Sequence, residues 1–99
     1  MEGNFGVFIT PAAERLLKKL PREVGIFVRT EFPPLVSINP FIGELLSSPL
    51  DLLRSFHFSR SGQPYRIAYG VEIPKERIIV YLAWHRGGFY ERLRRLLRK

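Results

Sequence analysis

The sequence contains no cysteine, a single aspartate at Asp51 and two histidines, His57 and His85, which lie far apart. Without cysteine the chain can form no disulfide framework, thiolate nucleophile or zinc ribbon, and a reducing cytoplasm is the compartment that fits. One aspartate and two separated histidines give no cluster with the spacing of metal ligands. We therefore expect neither a metal site nor a cofactor.

Several motifs of common enzyme classes are also missing. The glycines form neither a GxGxxG fingerprint after a strand nor a P-loop, which argues against a nucleotide-binding site of either kind. No serine occupies a nucleophile elbow, which argues against acyl transfer. No apolar run approaches the ~18 residues of a membrane span, and Glu2 stands where a signal peptide would be basic. These absences predict a cytoplasmic protein that is neither secreted nor inserted in a membrane.

The size of the chain limits the kind of site it can contain. Its 99 residues, of which 45% are hydrophobic and 25% charged, predict one domain spanning residues 1–99. A domain of this size buries one core but has no room for a large internal cavity. Any active site is therefore expected in a surface groove.

The charge is unbalanced, because sixteen lysines and arginines oppose nine acidic residues for a formal net charge of +7. Twelve of the cations are arginine, whose planar guanidinium forms bidentate contacts with phosphate. A polyanion is the expected partner, with nucleic acid first and an anionic membrane surface second. The alternative is that an arginine-rich surface only keeps the protein soluble.

The N-terminal part of the chain has the pattern of a strand followed by helices. Residues 4–10 are rich in β-branched and aromatic side chains, which predicts a strand. Thr10-Pro11 has the chemistry of a helix start, with proline at the first helical position. A second helix is predicted from Pro21 and is expected to end at Pro33-Pro34, because proline interrupts helical hydrogen bonding.

Residues 32–53 contain four prolines and predict short helical pieces joined by kinks. Asn39-Pro40 and Ser48-Pro49 both resemble starts of short helices. The segment is too apolar for a linker, and ten of its side chains are expected to be buried: Leu35, Val36, Ile38, Phe41, Ile42, Leu45, Leu46, Leu50, Leu52 and Leu53.

Three strands and a helix are predicted after this segment. Residues 55–59 and 65–73 alternate polar and apolar side chains, and the alternation places Arg66 on the face opposite the apolar run. Residues 78–84 are apolar nearly throughout, which indicates a central strand. Turns are predicted at residues 61–64 and 74–77. From Phe89 onward, helical spacing predicts an amphipathic helix with a basic polar face.

Six residues between the most apolar strand and this basic helix carry candidate chemistry. The segment His85-Arg86-Gly87-Gly88-Phe89-Tyr90 combines an imidazole, a permanent cation, flexible glycines and a phenol. These groups can serve in general acid and base catalysis and in anion stabilisation. The alternative is an ordinary strand end and turn, with Tyr90 at the edge of the core.

The same segment and the strands before it resemble a known family. YRIAYG at residues 65–70, IIVYLAWHR at 78–86 and the following Phe89-Tyr90 resemble the C-terminal half of the RelE/ParE superfamily of toxins. Members often have YR at the start of one strand, an apolar next strand and then HRxxVY. The resemblance covers residues 55–93, and more loosely the first strand and helix. Residues 32–53 depart from it, because relatives commonly have a helical hairpin there.

The resemblance implies an α+β fold, with a small twisted antiparallel sheet flanked by N-terminal helices and a short C-terminal helix. It also implies the toxin of a type II toxin–antitoxin system, with a small antitoxin as partner. In the RelE branch such toxins cleave messenger RNA in the ribosomal A site without a metal, and residues matching Arg66 and Tyr90 take part. His85 and Arg86 belong to the same terminal motif. The ParE branch instead inhibits DNA gyrase, which is the alternative function, together with that of a non-toxic binding protein.

The chemistry of RNA cleavage agrees with the function that the RelE resemblance implies. Attack by the 2′-hydroxyl requires removal of its proton, stabilisation of charge on phosphorus and protonation of the 5′-oxygen. Arg66 and Arg86 suit the second task, whereas His85 or Tyr90 suit the proton transfers. Five further arginines are predicted to bind the RNA backbone: Arg54, Arg60, Arg94, Arg95 and Arg98.

Overall fold

The computed structural model describes residues 4–98, so Glu2 and Lys99 lie outside the described part of the chain. The strands are β1 (Gly6–Ile9), β2 (Glu44–Leu45), β3 (Leu53–Arg60), β4 (Gln63–Glu72) and β5 (Arg77–His85), and the α-helices are α1 (Pro11–Leu17), α2 (Arg22–Ile26), α3 (Phe32–Ile38) and α4 (Phe89–Leu97). A π-helical turn (Phe27–Glu31) joins α2 to α3, and a 3-10 turn (Ile73–Lys75) lies between β4 and β5.

Across residues 4–98 the strands form one five-stranded sheet in the order β1-β5-β4-β3-β2. The pairs β2–β3, β3–β4 and β4–β5 are antiparallel, whereas β1 lies parallel to β5 at one edge. The predicted α+β class with helices before the sheet and one helix after it is confirmed. The predicted central position of residues 78–84 is also confirmed, because β5 has a partner strand on each side.

The start of α1 forms as the sequence predicts. The Thr10 hydroxyl oxygen accepts a hydrogen bond from the Ala13 backbone N–H at 3.0 Å, and Pro11 is the first residue of the helix. A side-chain cap of this kind satisfies an N–H group that has no partner within the helix. The adjacent strand β1 is shorter than the predicted residues 4–10.

The prediction that Pro33-Pro34 ends a helix is wrong. Helical backbone runs from α2 through the π-helical turn into α3, and the Phe32 N–H donates to the Phe27 carbonyl five residues earlier. This wider turn starts a new helix at Phe32, so that the prolines stand in its first turn. Proline is tolerated there because N–H groups in a first turn have no intrahelical partner.

The predicted short helices after Asn39-Pro40 and Ser48-Pro49 are also wrong. Both dipeptides lie in turns, closed by hydrogen bonds such as that from the Leu50 N–H to the Ser47 carbonyl at 2.8 Å. Between them the chain adds the short strand β2 to the edge of the sheet. An edge strand pairs its backbone on one side only, and both residues of β2 are exposed.

The burial expected for this segment is correspondingly only partly confirmed. Val36, Leu46 and Leu53 are buried and Leu50 is half-buried. The other six side chains are exposed, with exposed fractions that reach 87% at Leu52: Leu35, Ile38, Phe41, Ile42, Leu45 and Leu52. The expectation fails because the segment has turns and an edge strand in place of a helix with one apolar stripe.

The two faces of the sheet have different neighbours. Tyr65, Ile67 and Tyr69 belong to the cluster formed with α1, α2 and α3, so we call their side the helix face. Ala68 belongs to the cluster with Phe89 and Leu93 of α4, and we call this side the α4 face. Arg66 shares the α4 face with Ala68, as the predicted alternation requires.

The tight turn between β3 and β4 fixes how these strands align. Ser61 and Gly62 are the only two residues between the strands, and their φ angles are 54° and 76°. Two consecutive positive φ angles are typical of the type I′ hairpin turn, which glycine favours at its second position. A two-residue loop sets the register of the whole hairpin.

Within residues 4–98, no helix is long and apolar enough to cross a membrane.

Candidate functional site

Arg66 and Tyr90 meet on the α4 face. β4 projects Arg66 from this face, and the left-handed backbone of Gly88, with φ of 79°, turns the chain from β5 into α4 just before Tyr90. The Arg66 Nη1 donates a hydrogen bond to the Tyr90 hydroxyl oxygen. The guanidinium carbon of Arg66 also lies 5.2 Å from the centroid of the Tyr90 ring. The structure thus brings together two residues that the sequence placed 24 positions apart.

His57 is a neighbour of Arg66 that the sequence analysis did not assign to the site. The register of the β3–β4 hairpin places His57 directly opposite Arg66, so both side chains leave the sheet on the α4 face. His57 is exposed, and its Nε2 lies 3.3 Å from a carboxylate oxygen of Glu44 on β2. The turn was predicted at residues 61–64, whereas only Ser61 and Gly62 lie between the strands. The pairing of His57 with Arg66 follows by counting from this shorter turn.

Arg86 lies at the same end of the sheet. Its backbone N–H donates to the Pro64 carbonyl at 3.1 Å, which extends the pairing of β4 and β5 by one residue beyond β5. Arg86 lines a cavity of about 240 Å³ together with His57 and Arg66. Phe58, Ser59, Pro64 and Tyr65 complete the lining, so three basic residues stand around one cavity at this end of the sheet.

The structure does not bring His85 together with these residues. His85 pairs with Tyr65 across β4 and β5, and the centroids of their rings lie 5.0 Å apart. Because Tyr65 belongs to the helix face, His85 projects from the side of the sheet opposite Arg66 and Tyr90. The sequence places His85 beside Arg86, but neighbouring residues of a strand point to opposite faces.

Two of the predicted RNA-binding arginines are engaged on the helix face. Arg54 donates to the Gly43 carbonyl at 2.7 Å, and Arg60 donates to a Glu31 carboxylate oxygen at 3.1 Å. The Arg60 guanidinium also lies over the Phe27 ring, 4.5 Å from its centroid. Both side chains therefore hold parts of this chain together, at a distance from the Arg66–Tyr90 contact.

The three predicted RNA-binding arginines near the C-terminus, Arg94, Arg95 and Arg98, are exposed on or just beyond α4. Arg95 lies 3.7 Å from Glu91, whereas Arg94 lines a second cavity beside Tyr90. Arg92, which was not among the predicted site residues, also lies here, with its guanidinium carbon 4.1 Å from the centroid of the Trp84 ring. Trp84 is the partner of Arg66 on β5, so Arg92 adds positive charge to the α4 face.

Glu44, which shares a cavity wall with Arg94, pairs with His57 and not with an arginine of the site. Among residues 4–98, no carboxylate forms an ion pair with Arg66, Arg86 or Arg94. In contrast, Arg29, Arg60 and Arg77 are all paired away from the site. Arginines that have no ion-pair partner in the described part of the chain and that lie beside a surface cavity suit a phosphate-bearing ligand.

The segment that carries Glu44 is held by a buried tyrosine. The Tyr69 hydroxyl accepts from the Gly43 N–H and donates to the Pro40 carbonyl, both at 2.8 Å. Burial raises the pKa of the Tyr69 phenol, which keeps it a donor. A Cβ atom on Gly43 would lie 2.8 Å from the Tyr69 hydroxyl, so glycine is required for this approach. Glu44 is thereby positioned beside His57.

Comparison with known proteins identifies the fold. No family model and no curated protein sequence matches the chain. Among solved structures, a chain of the RelBE2 toxin–antitoxin complex from Mycobacterium tuberculosis is 26% identical, with a TM-score of 0.71, over 85% of this chain and 93% of that one. The chain adopts the RelE fold.

Two RelE structures from E. coli agree with this assignment. A substituted RelE variant in the free state is 18% identical with a TM-score of 0.70, over 95% of this chain and 99% of that one. RelE bound to an antitoxin RelB peptide is 16% identical with a TM-score of 0.65, over 90% and 94%. The predicted resemblance to RelE/ParE toxins is confirmed, with the RelE branch as the structural match.

Proposed function

We propose that this protein is the toxin of a toxin–antitoxin pair and that it cleaves messenger RNA on the ribosome without a metal. The observation that carries the proposal is the contact of Arg66 with Tyr90, opposite His57 and beside Arg86. These groups stand on the open part of the α4 face of a RelE fold. Together they supply proton transfer and anion stabilisation at one surface position.

The reaction is an attack of the RNA on its own backbone. The 2′-oxygen forms a bond to phosphorus as it loses its proton, and the bond from phosphorus to the 5′-oxygen breaks as that oxygen gains a proton. The products are a 2′,3′-cyclic phosphate and a 5′-hydroxyl. The enzyme has to move two protons and to stabilise the extra negative charge that phosphorus carries in the transition state.

The side chains divide these tasks by their chemistry. Arg66 and Arg86 have permanent charge and donate hydrogen bonds to the phosphate oxygens. His57 and Tyr90 flank Arg66 on two sides, from β3 and from α4, and each can exchange a proton with a reacting oxygen. The Glu44 carboxylate lies 3.3 Å from Nε2 of His57 and can orient the ring, so that the other ring nitrogen faces the substrate.

The proposed partner is a small antitoxin. Three of the similar structures are complexes of such toxins with antitoxins or an antitoxin peptide. The net charge of +7 favours an acidic partner segment that covers the arginines of the site. Inspection of the adjacent reading frames tests this directly, because a small antitoxin is expected to be encoded there.

Expression in a bacterium tests the proposed activity. The wild-type protein should arrest growth, and transcripts isolated during the arrest should be cut within translated codons. Co-expression of the product of the adjacent small reading frame should restore growth. Intact transcripts during growth arrest would contradict the proposed activity.

A further inference from the structure

A second cavity lies next to the proposed cleavage site. It has a volume of about 310 Å³ and separates the segment after β2 from α4, with Glu44, Ser47, Ser48, Tyr90 and Arg94 in its walls. Ligand cavities in proteins begin at about this size. Tyr90 lines this cavity while its hydroxyl contacts Arg66. A group bound here is therefore adjacent to whatever Arg66 binds.

The walls of the cavity are held in place before any ligand binds. The Leu46 N–H donates to the Leu53 carbonyl at 3.0 Å, and the Leu46 side chain is buried in the cluster that contains Leu93 of α4. Tyr69 fixes the chain just before Glu44. The segment and the helix thus face each other across the cavity.

The chemistry of the walls fits a nucleobase better than a phosphate. Tyr90 and Arg94 are planar groups on which a base can stack, and the serine hydroxyls both donate and accept hydrogen bonds. The Glu44 carboxylate only accepts, and it repels an anion. A cavity with one cation and one carboxylate therefore suits a neutral ring with a polar edge.

We propose that this cavity binds the base of the nucleotide next to the cleaved phosphate and that it favours bases with an exocyclic amino group. Adenine, cytosine and guanine each present such a donor to an acceptor such as Glu44. Uracil presents two carbonyl oxygens around a single N–H, so one of its acceptors faces the carboxylate without a donor. This inference rests on the proposed function, because it assumes that Arg66 and Tyr90 bind the scissile phosphate.

The test uses ribosomes programmed with four messages that differ only in the base next to the cut. For the wild-type protein, kcat/KM should be roughly ten-fold lower with uracil than with the other bases. Glu44→Gln supplies a donor in place of a carboxylate oxygen, so the difference should shrink severalfold. Glu91→Gln is the control, because Glu91 pairs with Arg95 on the same helix and is outside the cavity walls. Its base preference should equal that of the wild type.

The form of the Glu44→Gln effect separates two roles of this residue. If Glu44 acts only by holding His57, all four messages should slow by the same factor, which would overturn base recognition. Equal cleavage of the four messages by the wild type would overturn it as well. A changed ratio among the bases supports it.

A measurement without catalysis separates this inference from the proposed function. Titration of the full-length protein with cytidine or uridine 3′-monophosphate, followed by NMR, should shift the amides of Ser47 and Ser48 more strongly with cytidine. Such shifts in a protein that cleaves no message would support the cavity and contradict the proposed function. Cleavage of messages, with no shifts at these amides, would overturn the cavity and leave the proposed function standing.

Discussion

His57 of β3 and Arg66 of β4 lie directly opposite each other and project from the same face of the sheet. The Cβ atoms of such a pair are about 4.5–5.5 Å apart, so the imidazole and the guanidinium share one cavity. His85, the only other histidine of the sequence, projects from the opposite face. The two histidines therefore provide a matched comparison.

We expect His57→Ala to slow cleavage by roughly 10²- to 10⁴-fold at saturating ribosome, because the variant lacks a group that moves a proton. His85→Ala should cleave at a rate near that of the wild type. The measurement is single-turnover cleavage of a ribosome-bound message. Equal loss in both variants would show that the sheet face does not decide which histidine acts.

Replacement of Tyr90 by phenylalanine removes one hydroxyl and retains the ring. Cleavage should fall by roughly 10²- to 10⁴-fold, while ribosome affinity and the denaturation midpoint stay close to the wild type. Tyr81→Phe is the control, since Tyr81 is a half-buried phenol of β5 that contacts neither Arg66 nor the two cavities beside it. Wild-type cleavage by Tyr90→Phe would remove the phenol from the proposed chemistry.

Arg86 and Arg60 should differ in how their removal affects binding. Arg86→Ala removes a cation beside Arg66, so the magnitude of the slope of log binding constant against log salt concentration should fall by about one. Arg60→Ala breaks the contacts with Glu31 and Phe27. It should lower the free energy of unfolding by about 0.5–1 kcal/mol and leave the salt slope unchanged. Salt titrations of ribosome binding, together with urea denaturation, check both expectations; a smaller slope for Arg60→Ala would restore it as a phosphate contact.

The ion pair between Glu14 and Arg29 predicts a pH dependence of stability. Hydrogen bonds from the Arg29 guanidinium, at 2.8 Å for the shortest, lower the pKa of the Glu14 carboxyl below its usual value. Its contribution is therefore fully present above the usual carboxyl pKa and is lost as the pH falls through the lowered pKa of the folded state. Solvent screens this half-exposed pair, so the contribution is about 0.2–1 kcal/mol.

The comparison with Glu14→Gln isolates this contribution. At pH 7 the variant should unfold at lower urea concentration than the wild type. Below the lowered pKa of Glu14 the two midpoints should coincide. A difference that stays constant down to acid pH would show that the carboxylate charge is not its source.

Local patterns in the sequence were sufficient for β1, β3, β4 and β5 and for the face of the sheet from which Arg66 projects. The alternation along β4 placed Arg66 on the correct face, and Thr10-Pro11 marked the start of α1, because both features depend on neighbouring residues only. The continuation of helix past Pro33 depends on a π-helical turn, which no local sequence pattern predicts. The edge strand β2 forms because β3 offers it a partner, and this is a tertiary contact.

The predicted site was incomplete for the same reason. His85 and Arg86 are neighbours in sequence, but adjacent positions of a strand point to opposite faces, so only Arg86 reaches the Arg66 cavity. His57 lines the same cavity because the register of the β3–β4 hairpin places it opposite Arg66. Arg54 and Arg60 were predicted to bind RNA because arginine suits phosphate contacts. Their position on the helix face gives them partners within the chain.

Gyrase inhibition, the function of the ParE branch, predicts a different set of observations. A gyrase inhibitor should block supercoiling at concentrations at which translation continues, and its action should not depend on the Tyr90 hydroxyl. A supercoiling assay run beside a translation assay with the same protein preparation distinguishes the two. We expect translation to fail first.

The most direct measurement is the chemical identity of the ends produced when purified protein meets ribosomes stalled on a defined message. Attack by the 2′-hydroxyl predicts a 2′,3′-cyclic phosphate on one fragment and a 5′-hydroxyl on the other, formed by the wild type and strongly reduced in Tyr90→Phe. An intact message, or fragments that carry a 3′-hydroxyl and a 5′-phosphate, would contradict the proposed reaction at Arg66 and Tyr90.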